Sequence, residues 1–204
     1  MKLFRILKSP IVLPIAFFTV VIVLGAILLH GAERNTIEAL SWTEAVFTAT
    51  SAACVTGLVV VDTGSCFTAF GQLVVLCLIQ VGGLGIMTFT SLSIYIWRRR
   101  TTITDRIAVG QILLHDATFN LGRFLIEIVC WTFLIEIIGT ILLYLMDPVA
   151  FSPFSALFHS VSAFCNAGFS LFPDSMMRFK DNWGINGVLM TLIVLGGIGF
   201  SVFL

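Results

Sequence analysis

Four long stretches carry almost no charge, and they decide what this chain can become. Ile11 to Leu29, Gly71 to Trp97 and Trp183 to Leu204 contain no charged residue, and Phe124 to Met146 carries only Glu127 and Glu136. A helix crosses the hydrocarbon core of a bilayer with about 20 apolar residues, so each stretch is long enough to span. Charged residues make up 11% of the 204, whereas a soluble domain carries about 25%. An ordinary water-facing surface is therefore excluded, and the expected class is an all-α, multi-pass membrane protein. Lys2, Arg5 and Lys8 ahead of the first stretch also suit a secretory signal. That stretch is longer than a signal's apolar region, however, and no small-residue cleavage site follows before Glu33.

If all four stretches span, Lys2, Arg5, Lys8, Arg98, Arg99, Arg100, Arg106 and Arg123 fall on one side of the bilayer. The other side receives Arg34, Arg178 and Lys180 with seven acids: Glu33, Glu38, Glu44, Asp62, Asp147, Asp174 and Asp181. Basic residues concentrate in cytoplasmic loops, so the N-terminus and the 98–123 connector are expected in the cytoplasm. The acidic outer side attracts cations. Five cysteines form no CxxC or Cys/His ligand spacing, which leaves neither a disulfide frame nor a zinc site to predict.

The chain also repeats itself. At a constant offset of 111, Ser41, Ala45, Phe47, Ser51, Ala52, Cys54 and Gly57 fall on Ser152, Ala156, Phe158, Ser162, Ala163, Cys165 and Gly168. Farther on, Gly82, Gly83 and Gly85 answer Gly196, Gly197 and Gly199, and Asp62 answers Asp174 with one inserted residue. Duplicated membrane units suggest pseudo-symmetry around a pathway. The organisation expected is a first span–loop–span unit at 1–97, a connector at 98–123, and a second unit at 124–204 that stops inside its last span.

Between the spans of each unit lies a short segment with a helix-start signal. Ser41 with Glu44 forms a capping-box pattern, and Ser152 followed by Pro153 puts serine at the cap and proline at the first helical position. The first segment, Trp42 to Ala52, is too short to cross a bilayer as a helix. A half-length helix must return as extended chain, which is tolerated at membrane depth only where protein buries it or where it lines a cavity. Each return begins Cys54, Val55, Thr56, Gly57 and Cys165, Asn166, Ala167, Gly168. Glycine frees the backbone to turn carbonyl oxygens toward one axis, where they replace a cation's hydration shell. Neither loop holds a nucleophile beside a base.

Residues 53–63 and 164–172 resemble the first and second filter loops of the Trk/Ktr/HKT potassium transporter superfamily, closest to its KtrB-type membrane subunits. Residues 82–89 resemble the second-span motif of the same family, and the likeness covers essentially the whole chain. It implies a potassium-channel-like fold in which four such units in one polypeptide build a pore, each giving one filter glycine. Gly57 and Gly168 would then be two of four, with backbone carbonyls of 54–57 and 165–168 as potassium ligands and no other cofactor or metal. In the family, serine in place of a filter glycine accompanies sodium transport, so glycine at both positions favours potassium over sodium. The resemblance further implies a bacterial inner (plasma) membrane, a homodimer of the full-length chain, and a cytoplasmic nucleotide-binding regulatory subunit. Two loops cannot encircle an ion with four-fold carbonyls, so the sequence is expected to be the N-terminal half of such a protein.

Other residues remain open to two roles. Glu136, an acid in mid-span, either joins an ion or proton path or bonds a neighbouring helix. The glycine motifs at 82–85 and 196–199 either bend for gating or let helices approach closely. Asp62 and Asp174 either concentrate cations at the mouth or are solvated loop acids. His159 supports helix packing or the filter, and apolar residues in the connector lie on the membrane or dock a partner. The rival function is a membrane-embedded hydrolase using Ser160 with His159 or Asp174.

Overall fold

The structure, a computed structural model, describes residues 12–31, 40–100 and 121–198, with side chains apart from those of 13, 86–100 and 121–125. The N-terminal basic residues, most of the 98–123 connector and Gly199 lie outside the described residues. Among those described there is no β-strand, and the elements are α1 Val12–His30, α2 Trp42–Ala53, α3 Thr63–Cys66, α4 Ala69–Arg100, α5 Leu121–Met146, α6 Pro153–Phe164 and α7 Trp183–Ile198, with a 3-10 turn at Met177–Phe179 before α7.

Each half runs long helix, short helix, long helix. The segment Ile126–Met146 is long and apolar enough to cross a membrane, while Pro14–His30, Ala69–Gly85 and Trp183–Ile198 are shorter apolar helices among the described residues. The outer faces of α1 and α5 present Ile15, Val20, Leu24, Ile126, Ile137 and Ile141, so these helices are apolar outward as well as inward. Water does not reward that arrangement, and lipid does.

The short helices occupy the middle. Ala45, Ala49, Ala52 and Ala53 of α2 are completely buried, as are Ala156, Phe158 and Ser160 of α6. The alanine face lets α1 and α4 close on α2, and α5 and α7 close on α6 in the same manner. One apolar cluster runs through both halves, joining Leu29, Val75 and Ile79 to Phe158, Phe164 and Phe169. A smaller cluster of Leu143, Phe151, Phe179 and Ile185 covers one end of the second half.

The caps set where the short helices begin. Ser41 closes the capping box, its Oγ accepting from the Glu44 amide at 3.3 Å while the Ser41 amide donates to Glu44 Oε2 at 2.8 Å. The Ser41 side chain, donating to Glu44, holds that carboxyl below the usual carboxylate range. Ser152 Oγ accepts from the Ser155 amide at 3.2 Å, with Pro153 at the helix start. Both helices have 12 residues, about 18 Å at 1.5 Å per residue. The first runs one residue beyond the expected Ala52.

Candidate functional site

The ends of the two short helices coincide in detail at the sequence offset of 111. Cys54 and Cys165 are the C-caps, and each amide donates to the fourth residue back, Thr50 at 2.8 Å and Val161 at 2.9 Å. Val55 and Asn166 then take φ of 58° and 59°, and Gly57 and Gly168 take 75° and 71°. The amides of Thr56 and Ala167 reach back to the carbonyls of Ser51 and Ser162 at 3.0 and 2.7 Å. That six-to-one bond over a left-handed residue is a Schellman closure. The left-handed closing residue is usually glycine; here it is valine or asparagine, and the glycine comes two residues later. Asparagine tolerates the conformation, whereas β-branched valine is an outlier in it, held by the bonds on either side.

The residue between each pair keeps negative φ, so the sign of φ alternates along 55–57 and again along 166–168. The two loops meet at their glycines. A Cβ built on Gly57 stands 2.7 Å from the Ala167 carbonyl oxygen and 3.3 Å from Gly168 Cα. Among the described residues, none of the carbonyls of Cys54, Val55, Thr56, Gly57, Cys165, Asn166, Ala167 and Gly168 accepts a hydrogen bond. The next carbonyl, that of Phe169, is bonded by Ser162 Oγ at 2.7 Å. The run of unbonded oxygens is thus interrupted at Phe169.

Side chains of the short helices brace both loops. Ser51 Oγ pairs with Thr56 Oγ1 at 2.9 Å, while its counterpart Ser162 holds Phe169. Asn166 Nδ2 donates to the carbonyls of Phe164 and of Ile193 on α7, each at 3.4 Å. The long helices seat the same ends. A Cβ on Gly82 would overlap the Ala53 carbonyl oxygen, and one on Gly196 would overlap the Phe164 carbonyl oxygen, again at corresponding positions. A Cβ on Gly83 would stand 2.6 Å from Cys165 Sγ, whereas one on Gly85 meets the Phe17 ring at 3.2 Å and one on Gly197 reaches only Asn166 Nδ2 at 3.8 Å. Both helices stay unbroken through these glycines.

The sequence pattern of the TrkH family, described as cation transport protein, matches residues 4–204. The chain belongs to the TrkH family. Within the wider Trk/Ktr group it is of the KtrB type, being 42% identical over 197 residues to Ktr system potassium uptake protein B of Bacillus subtilis, covering 95% of this chain and 44% of that one. It is 42% identical over 170 residues to the protein of the same name from Vibrio alginolyticus, covering 81% of this chain and 37% of that one. Potassium/sodium uptake protein NtpJ of Enterococcus hirae is 33% identical over 203 residues, 95% of this chain and 44% of that one. The chain thus spans less than half the length of these curated relatives.

In this TrkH-family chain the two acids that follow the loops, Asp62 and Asp174, are held differently. Asp62 caps α3, accepting from the amides of Gly64 at 3.4 Å and Ser65 at 3.1 Å, and no cation pairs with it among the described residues. Asp174 is bound by Arg178, whose Nε and Nη2 stand 2.9 and 2.8 Å from Oδ1. That hydrogen bond holds the Asp174 carboxyl below the usual carboxylate range. A cleft of about 260 Å³ lies outside the glycines, lined by Val59, Val61, Asp62, Gly168 and Ser170 among others.

His159 is a brace in this TrkH-family fold. The Leu171 amide donates to Nε2 at 3.2 Å, which puts the ring proton on Nδ1, and Nδ1 donates to the Ser155 carbonyl at 2.7 Å. Phe172 stacks on the imidazole at 4.6 Å, and the Arg178 guanidinium lies over the Phe172 ring at 4.6 Å. Ser160, one partner in the hydrolase reading, is fully buried and donates to the Glu136 carbonyl at 2.8 Å. The structure does not bring it to His159 as a nucleophile to a base.

Sequence reasoning missed two close approaches. Gly64 lies against the Leu171 carbonyl, where a Cβ would overlap the oxygen, so the segments beyond the two loops touch. Gln80 Nε2 donates to Glu136 Oε1 at 3.0 Å. Only the apolar setting of a glutamine in α4 could have signalled the second, and nothing local signals the first.

Proposed function

We propose that this chain forms half of the ion path of a potassium uptake protein, a re-entrant pore-loop protein whose filter is the backbone at 54–57 and 165–168. The carrying observation is that, among the described residues, the eight carbonyls directly after the two short helices accept no hydrogen bond, in two loops that meet at Gly57 and Gly168. Unpaired backbone oxygens in an apolar setting are costly, and a dehydrating cation satisfies them without a side chain. Alternating signs of φ turn successive peptide units the same way, which is how a row of carbonyls comes to face one axis. The short helices further aim their partially negative C-termini at that place.

In this reading potassium enters from an acidic outer side, sheds water at the loops and leaves past α4 and α7. The N-terminus and the 98–123 connector lie in the cytoplasm, with the whole protein in the plasma membrane. Two further units from the rest of the polypeptide complete the ring. The full-length protein is a homodimer that carries a nucleotide-binding regulatory subunit on its cytoplasmic face. Glycine at both filter positions favours potassium over sodium. The protein supplies coordination and a gate, with no covalent chemistry. A gate that bends at Gly82 or Gly196 must first lift the long helix from the short helix it seats, so Gly85 and Gly197 are the freer hinge candidates.

The two mouth acids separate electrostatic attraction from structure. In the full-length protein, Asp62→Asn keeps a good helix cap and removes one charge that no cation among the described residues pairs with. It is expected to raise the KM for potassium about two- to fivefold at low salt, with the effect shrinking as ionic strength rises. Removing the ion pair as a unit, Asp174→Asn with Arg178→Gln, leaves the local charge unchanged and is expected to leave KM within about twofold. Rubidium uptake into potassium-depleted cells measures both. A salt-independent defect in Asp62→Asn would assign that residue a purely structural role.

A further inference from the structure

We propose that Gln80 and Glu136 form a polar clip between the two halves that positions the second glycine loop, making both residues determinants of ion selectivity. This rests on the reading of that loop as part of the ion path. Glu136 is 1% exposed, and its carboxyl accepts from the Gln80 amide at 3.0 Å, a bond from α5 to α4. Its own backbone carbonyl accepts from Thr140 Oγ1 at 2.7 Å and from Ser160 Oγ at 2.8 Å. Residue 136 therefore ties α4 of the first half to α6 of the second, five residues before Cys165.

Two glycines make this geometry possible. Gly139, three residues after Glu136, leaves room for Ser160, since a Cβ there would stand 2.5 Å from Ser160 Oγ. Gly83, three residues after Gln80 and so on the neighbouring stretch of the same helix face, takes Cys165 Sγ against its backbone. The first half thus touches the second loop directly at its cap, and the clip lies one turn away on the same helix. In an apolar interface an unmade bond at either side chain is costly, so the clip fixes how far α4 slides past the second half, which it meets at α6. A slide moves Gly83, and with it Cys165 and the carbonyls that follow.

The clip needs an acceptor oxygen at Glu136 Oε1, which glutamine supplies equally well. In the full-length protein, Glu136→Gln and the exchange Gln80→Glu with Glu136→Gln are expected to keep potassium uptake and potassium-over-sodium preference within about twofold. Glu136→Leu and Gln80→Leu are expected to lower that preference about three- to tenfold, the scale of one lost hydrogen bond, in protein that remains monodisperse in detergent. Should leucine at 136 prevent folding, Gln80→Leu and the exchange carry the same test. The proposal is overturned if folded Glu136→Gln loses uptake, since the carboxylate itself would then serve the ion. It is equally overturned if Gln80→Leu keeps the parental preference while Gly57→Ser changes it. If Gly57→Ser leaves preference unchanged as well, the failure belongs to the filter reading and takes the clip with it.

Discussion

Serine at position 57 is expected to lower potassium uptake by the full-length protein at least about tenfold and to erode its preference over sodium, while serine at 168 does less. Both glycines hold positive φ, 75° and 71°, which costs a residue with a Cβ about 1–2 kcal/mol. The surroundings then separate them. A Cβ on Gly57 would stand 2.7 Å from the Ala167 carbonyl oxygen, one of the proposed ligands, whereas a Cβ on Gly168 meets only Gly57 Cα at 3.4 Å. The first substitution must displace a backbone oxygen of the opposite loop, and the second adds strain without that collision. A tenfold rate change corresponds to about 1.4 kcal/mol, which strain plus displacement readily supplies. Side-by-side rubidium and sodium uptake by the two variants checks the order, and equal defects would show that the Gly57–Ala167 contact does not matter.

The second large effect lies behind the loops. Alanine at Gly82 or Gly196 puts a methyl group into a carbonyl oxygen of the short helix, Ala53 or Phe164. Neither side of the contact is a flexible side chain that can swing away. Overpacking of this kind costs about 1–3 kcal/mol or more, so each variant is expected to unfold in detergent at a clearly lower temperature and to lose most uptake. Gly187 supplies the control within the same helix as Gly196. Nothing lies within 4 Å of a Cβ there, and Gly187→Ala is expected to be neutral or slightly stabilising. Comparable melting temperatures for Gly196→Ala and Gly187→Ala would contradict the packing described.

Local chemistry was legible in the sequence and long-range contact was not. Ser41 with Glu44 and Ser152 with Pro153 announce helix starts because capping involves neighbours within one turn. The offset of 111 carries over to caps, closing bonds and left-handed residues because both segments solve the same backbone problem. The sequence pointed to glycine for the turn after each helix, and the structure instead closes the helix on Val55 and Asn166. Valine gives no hint of a left-handed φ, because its preference is overridden by the bond from Thr56 to Ser51 rather than expressed. Gly64 against Leu171 and Gln80 against Glu136 join residues more than fifty positions apart, for which spacing offers no period to read. Thr48 and His159 occupy matching positions with different chemistry. Among the described residues the Thr48 hydroxyl finds no hydrogen-bond partner, while His159 holds a loop, so likeness of position did not predict likeness of role.

Crystals of the full-length protein grown with thallium or rubidium in place of potassium test the filter most directly, through anomalous scattering. The expected result is a peak between the two loops, ringed by backbone oxygens of 54–57 and 165–168. Ions found only at carboxylates elsewhere, with those eight carbonyls bonded to the protein's own donors, would contradict it.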